Sequence, residues 1–212
     1  MRIIDATYEI LTPLSEHDVL KMYKAIERAG RTCYKSSSTG TPNEFIRSLV
    51  KRGHEAMLEH ASITVRFTVD RGVSHELVRH RLASFAQEST RYCNYSADKF
   101  GNEITLIKPF YLEEGTEEYH AWEDVCGDIE KAYFFLLNHG KTPQEARCVL
   151  PNSLKTEVVM TANLREWRHF LKLRAAGTTG KPHPQMMEVA YPLLKEFQRA
   201  MPEVFGDIEV QI

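Results

Sequence analysis

The sequence predicts an α+β fold, a single domain over residues 1–212 with a mixed or antiparallel sheet flanked by helices. Three observations lead there. Ile63, Val65, Phe67 and Val69 alternate with Thr64, Arg66 and Thr68, the period of a half-buried strand. Several segments place apolar residues at helical spacing behind capping residues. Strands and helices interleave without a regular βαβ repeat, which sets the chain apart from doubly wound sheets. At 212 residues it can bury one sizeable core but not two comfortable ones.

In chain order, residues 2–12 are rich in β-branched and aromatic residues and read as one strand closed by Pro13. Ser15 caps a helix with Leu20, Met22, Tyr23 and Ile26 on its inner face, and Gly30 is its expected end. A polar loop, residues 36–40, leads to Thr41-Pro42, which opens a second helix lined by Phe45, Leu49 and Val50 and stopped near Gly53. After the strand at 62–69, Asp70-Arg71-Gly72 turns into a helix from about Ser74. Val73, Leu77, Val78 and Leu82 form its apolar face, with Glu76 in its first turn. Residues 103–107 are a strand and 116–138 a long amphipathic helix ended by His139-Gly140. Thr142-Pro143-Gln144-Glu145 is a capping box for a short helix that must end before Pro151. Residues 155–162 form a strand, Asn163 with Glu166 caps a helix to Arg174, and a loop over 177–182 precedes a last helix through Ala200.

A formal charge of −2 argues against a generally basic nucleic-acid binder, and no apolar run approaches the length of a bilayer span. The four cysteines form no C-x-x-C pair, and Met-Arg-Ile-Ile-Asp has no apolar signal region. A reduced, cytoplasmic setting is the expectation.

The densest chemistry lies in residues 79–91: Arg79, His80, Arg81, Ser84, Gln87, Glu88, Ser89 and Arg91. Unpaired cations of this density call for an anion or acidic neighbours. On a helix, Arg79, His80 and Arg81 fan around its end, while Ser84 follows His80 on one side. Ser89 and Arg91, two apart in an extended segment, point the same way and could hold one phosphate. The alternative is a solvated basic helix end with a structural Arg–Glu pair; the interleaved Ser, Gln and Ser favour a ligand. Arg174 falls on the inner side of the helix that carries Trp167, Phe170 and Leu171, although arginines commonly snorkel at such a helix end. His54 and His60 frame Glu59 and with His80 could suggest a metal site, but a spacing of six at a helix-to-strand junction does not put both rings on one face, so no metal is expected. Cys148 reads as a buried structural thiol, and no P-loop or Rossmann glycine motif is present.

Arg79-His80-Arg81, then seven residues and Ser89, resembles the R-H-R-x7-S signature of flavin-dependent thymidylate synthases. His54-Glu55 with Glu59-His60, Arg147 to Pro151, Asn163 to Arg174, and His183-Pro184-Gln185 with Glu188 resemble further segments of that family, in order over about residues 54–190. The resemblance implies a homotetramer with active sites shared between subunits. It also implies FAD as cofactor, and reductive methylation of dUMP to dTMP with methylenetetrahydrofolate and NADPH as co-substrates. It places Glu76, Arg79, Gln87, Glu88, Ser89, Arg91, Arg147 and Arg174 on dUMP. It places His54, Arg79, His80, Arg81, Gln87, Asn163, Arg165 and His169 on FAD, and gives Arg174 the catalytic part of polarising the pyrimidine. Ala56, Ala86, Gln87, Glu76 and His169 depart from the family pattern. The competing reading is a non-catalytic nucleotide- or RNA-binding protein that uses the same arginines.

Overall fold

The computed structural model describes residues 1–37, 40–97 and 101–210; residues 38–39 of the polar loop lie outside the described residues. The chain divides into two compact units. One contains residues 1–7, 67–79 and 86–158, and the other residues 8–66, 80–85 and 159–212. The α+β class holds, with an antiparallel sheet flanked by helices.

In the first unit, β1 (Arg2–Ile4) pairs in parallel with β5 (Thr105–Ile107), Arg2 opposite Thr105 and Ile4 opposite Ile107. The expected single strand over 2–12 is therefore two. The Lys108 N–H donates to Ile4 O at 2.9 Å, and its ammonium lies 3.6 Å from Asp5, just beyond β1. β2 (Thr7–Ile10) enters a separate four-stranded sheet of order β2-β3-β6-β4, with β3 at Ser62–Asp70, β4 at Ala83–Gln87 and β6 at Lys155–Asn163. The alternation read at 62–69 is real, since Ile63, Val65, Phe67 and Val69 are all buried.

α3 (Arg71–Leu77) starts earlier and stops sooner than the sequence suggested. Asp70 is the cap, its Oδ1 accepting the Val73 N–H at 2.7 Å, so the first turn forms at Arg71. Glu76 consequently lies in the last turn, and Leu82, expected on the apolar face, is exposed. α4 (Glu117–Asn138) buries Tyr119, Cys126 and Tyr133, of which Cys126 and Tyr133 pack with Tyr95, Ile104, Leu106, Ala146 and Leu154. α5 (Pro143–Ala146) and a 3₁₀ turn (Arg147–Val149) follow its capping box.

In the second unit, α1 (Glu16–Tyr34) runs through Gly30 and ends on Lys35 in the left-handed region. Gly30 is a point of close approach instead of a stop: a Cβ there would lie 2.8 Å from the Phe45 ring on α2 (Pro42–Lys51). On α2 the buried residues are Ile46 and Leu49, while Phe45 and Val50 are only partly covered. A 3₁₀ turn (Glu55–His60) leads into β3. α6 (Leu164–Arg174) and α7 (Pro184–Ala200) share an aromatic core, Trp167 against Phe170 and Phe197, each with ring centres 5.5 Å apart. A short α8 (Pro202–Phe205), unforeseen in the sequence, adds Phe205 to it. Among the described residues no helix is long and apolar enough to cross a membrane.

Candidate functional site

The candidate residues fall into both units, and the cationic segment itself divides: residues 80–85 belong to the second unit, Arg79 and residues 86–91 to the first. Because α3 ends at Leu77, Arg79, His80 and Arg81 lie beyond the helix in the connection to β4, not on a helical fan as expected. Ser84 is on β4, so its helical relation to His80 does not exist.

Within the first unit, Ser89, Thr90 and Arg91 form a turn and not the extended segment anticipated: the N–H groups of Tyr92 and Cys93 donate to Ser89 O at 3.1 and 2.9 Å. Ser89 Oγ accepts the Arg91 N–H at 3.3 Å. Arg91 Nε donates to Gln144 Oε1 at 3.2 Å, and Arg147 Nη1 donates to the buried Thr90 Oγ1 at 3.2 Å. Among the described residues neither arginine forms an ion pair. Glu88, by contrast, is paired with Lys155 at 3.0 Å. The Gln87 amide nitrogen donates to Ser74 Oγ at 3.0 Å and Thr156 Oγ1 at 3.3 Å, which leaves its carbonyl oxygen for anything else. Arg79 is exposed, its N–H bound to Glu76 O at 3.2 Å. Cys148 is exposed, which corrects the expectation of a buried thiol: the 3₁₀ turn at 147–149 carries no buried residue. All four cysteines are free thiols.

Within the second unit, His80 is 5% exposed and lies between two charged groups. Its Nδ1 is 3.2 Å from Glu166 Oε1, and Arg174 Nε donates to its Nε2 at 3.3 Å. Phe170 and His169 stand edge-on to the imidazole, with ring centres 5.0 and 5.8 Å away. Burial, then the charges of Arg174 and His169, push the His80 pKa down to about 4. Burial pushes the Glu166 carboxyl up. Asn163 Oδ1 accepts the Glu166 N–H at 2.9 Å, capping α6 and leaving its amide nitrogen for a ligand. Arg165 is exposed and holds Glu59 at 2.6 Å. His80, Glu166 and His169 bring three possible metal-ligand atoms within 4.8 Å of one another. The Arg174 guanidinium against His80 opposes a second cation at that point.

His54 and Ala56 line a cavity of about 550 Å³ together with Phe45, Leu49, Met57 and Arg52. Apolar walls with a guanidinium and an imidazole suit a ligand that joins a flat heteroaromatic ring to phosphate. Ala56 offers no hydroxyl to it.

Sequence reasoning missed Thr90, Gln144 and the inward turn of Glu166. It also missed Arg168, which is 1% exposed, with Nε on Glu55 Oε1 at 2.9 Å, Nη1 on Asp207 Oδ1 at 2.6 Å and Nη2 on Asp207 Oδ2 at 2.8 Å. Glu166 and Arg168 flank the core residue Trp167, so an apolar stripe could not flag them. The only sequence signal was the Asn163–Glu166 cap.

A family model described as thymidylate synthase complementing protein matches residues 18–203. The flavin-dependent thymidylate synthase of Corynebacterium glutamicum is 32% identical over 210 residues, covering 88% of this chain and 79% of that protein. The protein of the same name from Mycobacterium tuberculosis is 32% identical over 200 residues, 87% and 79% of the two chains. Among solved structures, a UMP/dUMP methylase, PolB, from Streptomyces cacaoi bound with 5-Br UMP superposes with a TM-score of 0.76. It shares 23% identity over 97% of this chain and 95% of that one, a likeness of fold.

Proposed function

The chain belongs to the family of thymidylate synthase complementing proteins, and on that premise we propose that it is a flavin-dependent thymidylate synthase, one catalytic domain that converts dUMP to dTMP. Methylenetetrahydrofolate donates the carbon and NADPH the reducing equivalents. Bound FAD supplies the hydride.

The observation that carries the reading is the state of Arg91 and Arg147. Gln144 and Thr90 orient them, both neutral, and among the described residues no carboxylate pairs with either. Two oriented guanidiniums with uncompensated charge suit a phosphate, which they can grip through paired N–H donors. Ser89 adds a hydroxyl, while Glu76, Arg79 and Glu88 complete the set assigned to dUMP. Gln87, assigned to both ligands, contributes a carbonyl oxygen. In the second unit His54, His80, Arg81, Asn163, Arg165 and His169 are assigned to FAD, joined by Arg79; of this set, His54 lines the cavity described above, and the others do not. Arg174 favours the N3-ionised pyrimidine and so prepares C5 for attack, as a guanidinium stabilises developing negative charge. Membership in the family supports a homotetramer with shared sites, in the cytoplasm; light scattering that returns a monomer would contradict the tetramer.

The decisive experiment is anaerobic incubation with dUMP, methylenetetrahydrofolate, NADPH and FAD. Formation of dTMP is expected, and Arg174→Ala should abolish it while leaving bound flavin largely intact. A colourless protein that takes up no FAD and forms no dTMP overturns the proposal.

A further inference from the structure

We propose that Glu166 is a positioning residue for Arg174: acting through His80, it determines which imidazole nitrogen is left to receive the guanidinium. The inference rests on the role of Arg174 given above. A guanidinium has five donors and no acceptor, so the 3.3 Å contact from Arg174 Nε requires a lone pair on His80 Nε2. In the neutral ring the proton is then on Nδ1, and Nδ1 stands 3.2 Å from Glu166 Oε1. The carboxylate therefore accepts the Nδ1–H, and the tautomer follows from the donor count at both ends.

Each member of this row is held. Glu166 is 5% exposed, in the first turn of α6 where the helix dipole favours a carboxylate, and its N–H is tied to the Asn163 cap at 2.9 Å. The imidazole has Phe170 and His169 against it. Arg174 is the last residue of the same helix, about 12 Å further along at the α-helical rise. His80 thus links the first turn of α6 to its last residue. Without Glu166 the buried Nδ1–H loses its acceptor. The ring is then released to the Nε2–H form, which sets N–H against N–H and expels the guanidinium.

The test uses the full chain with FAD, as Glu166→Ala and the near-isosteric Glu166→Gln. Nitrogen-15 shifts of labelled histidine report the tautomer directly, whether or not the protein turns over dUMP. In native protein His80 should be Nδ1-protonated. In Glu166→Ala that tautomer should be lost, and kcat should fall by about 10- to 100-fold, the scale known for removing the carboxylate that orients a metal-ligating histidine, taken here for an imidazole that orients a guanidinium. KM for dUMP should change little, because the phosphate grip is assigned to Arg91 and Arg147. Glu166→Gln retains an acceptor oxygen and should restore both the tautomer and most of kcat. Native tautomer and native kcat in Glu166→Ala would overturn the inference, as would equal losses in both variants with the tautomer unchanged. Native protein that forms no dTMP yet loses the Nδ1-protonated form on Glu166→Ala would instead sink the thymidylate synthase reading and spare the relay.

Discussion

Asp207→Ala probes the buried cation that ties α6, which carries Arg165 and His169 of the set assigned to the flavin, to the 55–60 turn that follows His54. It removes the two-pronged partner of Arg168, a guanidinium only 1% exposed. Deleting one member of a fully buried ion pair costs roughly 3–5 kcal/mol, because the other charge is stranded. Two features lower that figure here. The Asp207 side chain is 48% exposed, so part of its interaction is already screened by water, and Glu55 still neutralises Arg168 at 2.9 Å. The Val204 carbonyl also remains as an acceptor. A loss of about 2–3 kcal/mol is expected at pH 7 by urea denaturation, and at about 2–4 °C per kcal/mol for a chain of this size Tm should fall by roughly 4–12 °C. The hydrogen bonds from Arg168 hold the Asp207 carboxyl below its ordinary value of 3.8. A depressed carboxylate stabilises the fold above the unfolded pKa and ceases to do so as pH falls through the folded one. The gap between native and variant should therefore be flat near neutrality and close in the acid range below pH 3.8. A loss under about 0.5 kcal/mol at pH 7, the size of an ordinary surface substitution, would refute the reasoning.

Two further outcomes follow from the same unit. Asn163→Ala should cost about 1 kcal/mol through the lost α6 cap, whereas Asn163→Ser keeps the cap; if the amide touches flavin, FAD affinity measured by fluorescence should drop in both, and recovery in the serine variant would remove Asn163 from the flavin set. His80, held near pKa 4 against an ordinary 6.5, should show no imidazole titration by NMR between pH 8 and pH 5. The unfolded chain takes up that proton first, so the stabilisation is complete above pH 6.5 and is lost as pH falls toward 4, by at most about 3 kcal/mol; a measured His80 pKa above 6 would contradict it.

What could be read from the sequence alone was whatever depends on neighbours within a few residues. The alternation at 62–69, the caps at Ser15, Thr41 and Asn163, and the capping box at Thr142 all reappear, because strand pleat and helix ends are local chemistry. The R-H-R-x7-S spacing pointed to the family for the same reason, being a pattern along the chain. At α3 the reading failed: the helix starts on the Asp70 cap and not near Ser74, and it ends at Leu77, so Arg79 to Arg81 lie beyond it and residues 83–87 of the cationic segment are β4.

Other properties could be decided only by the tertiary structure. Arg168 is buried because Glu55, 113 residues away, and Asp207, 39 residues on, converge on it. Gly30 lies within a helix, where the missing Cβ leaves room for the Phe45 ring. The protonation of His80 depends on Glu166 and Arg174, 86 and 94 residues distant. The sequence alone determined that residues 79–91 concentrate cations around one imidazole. The fold alone decided which of those charges are neutralised and which stay available, since burial of a charge is tolerated only where distant partners meet it.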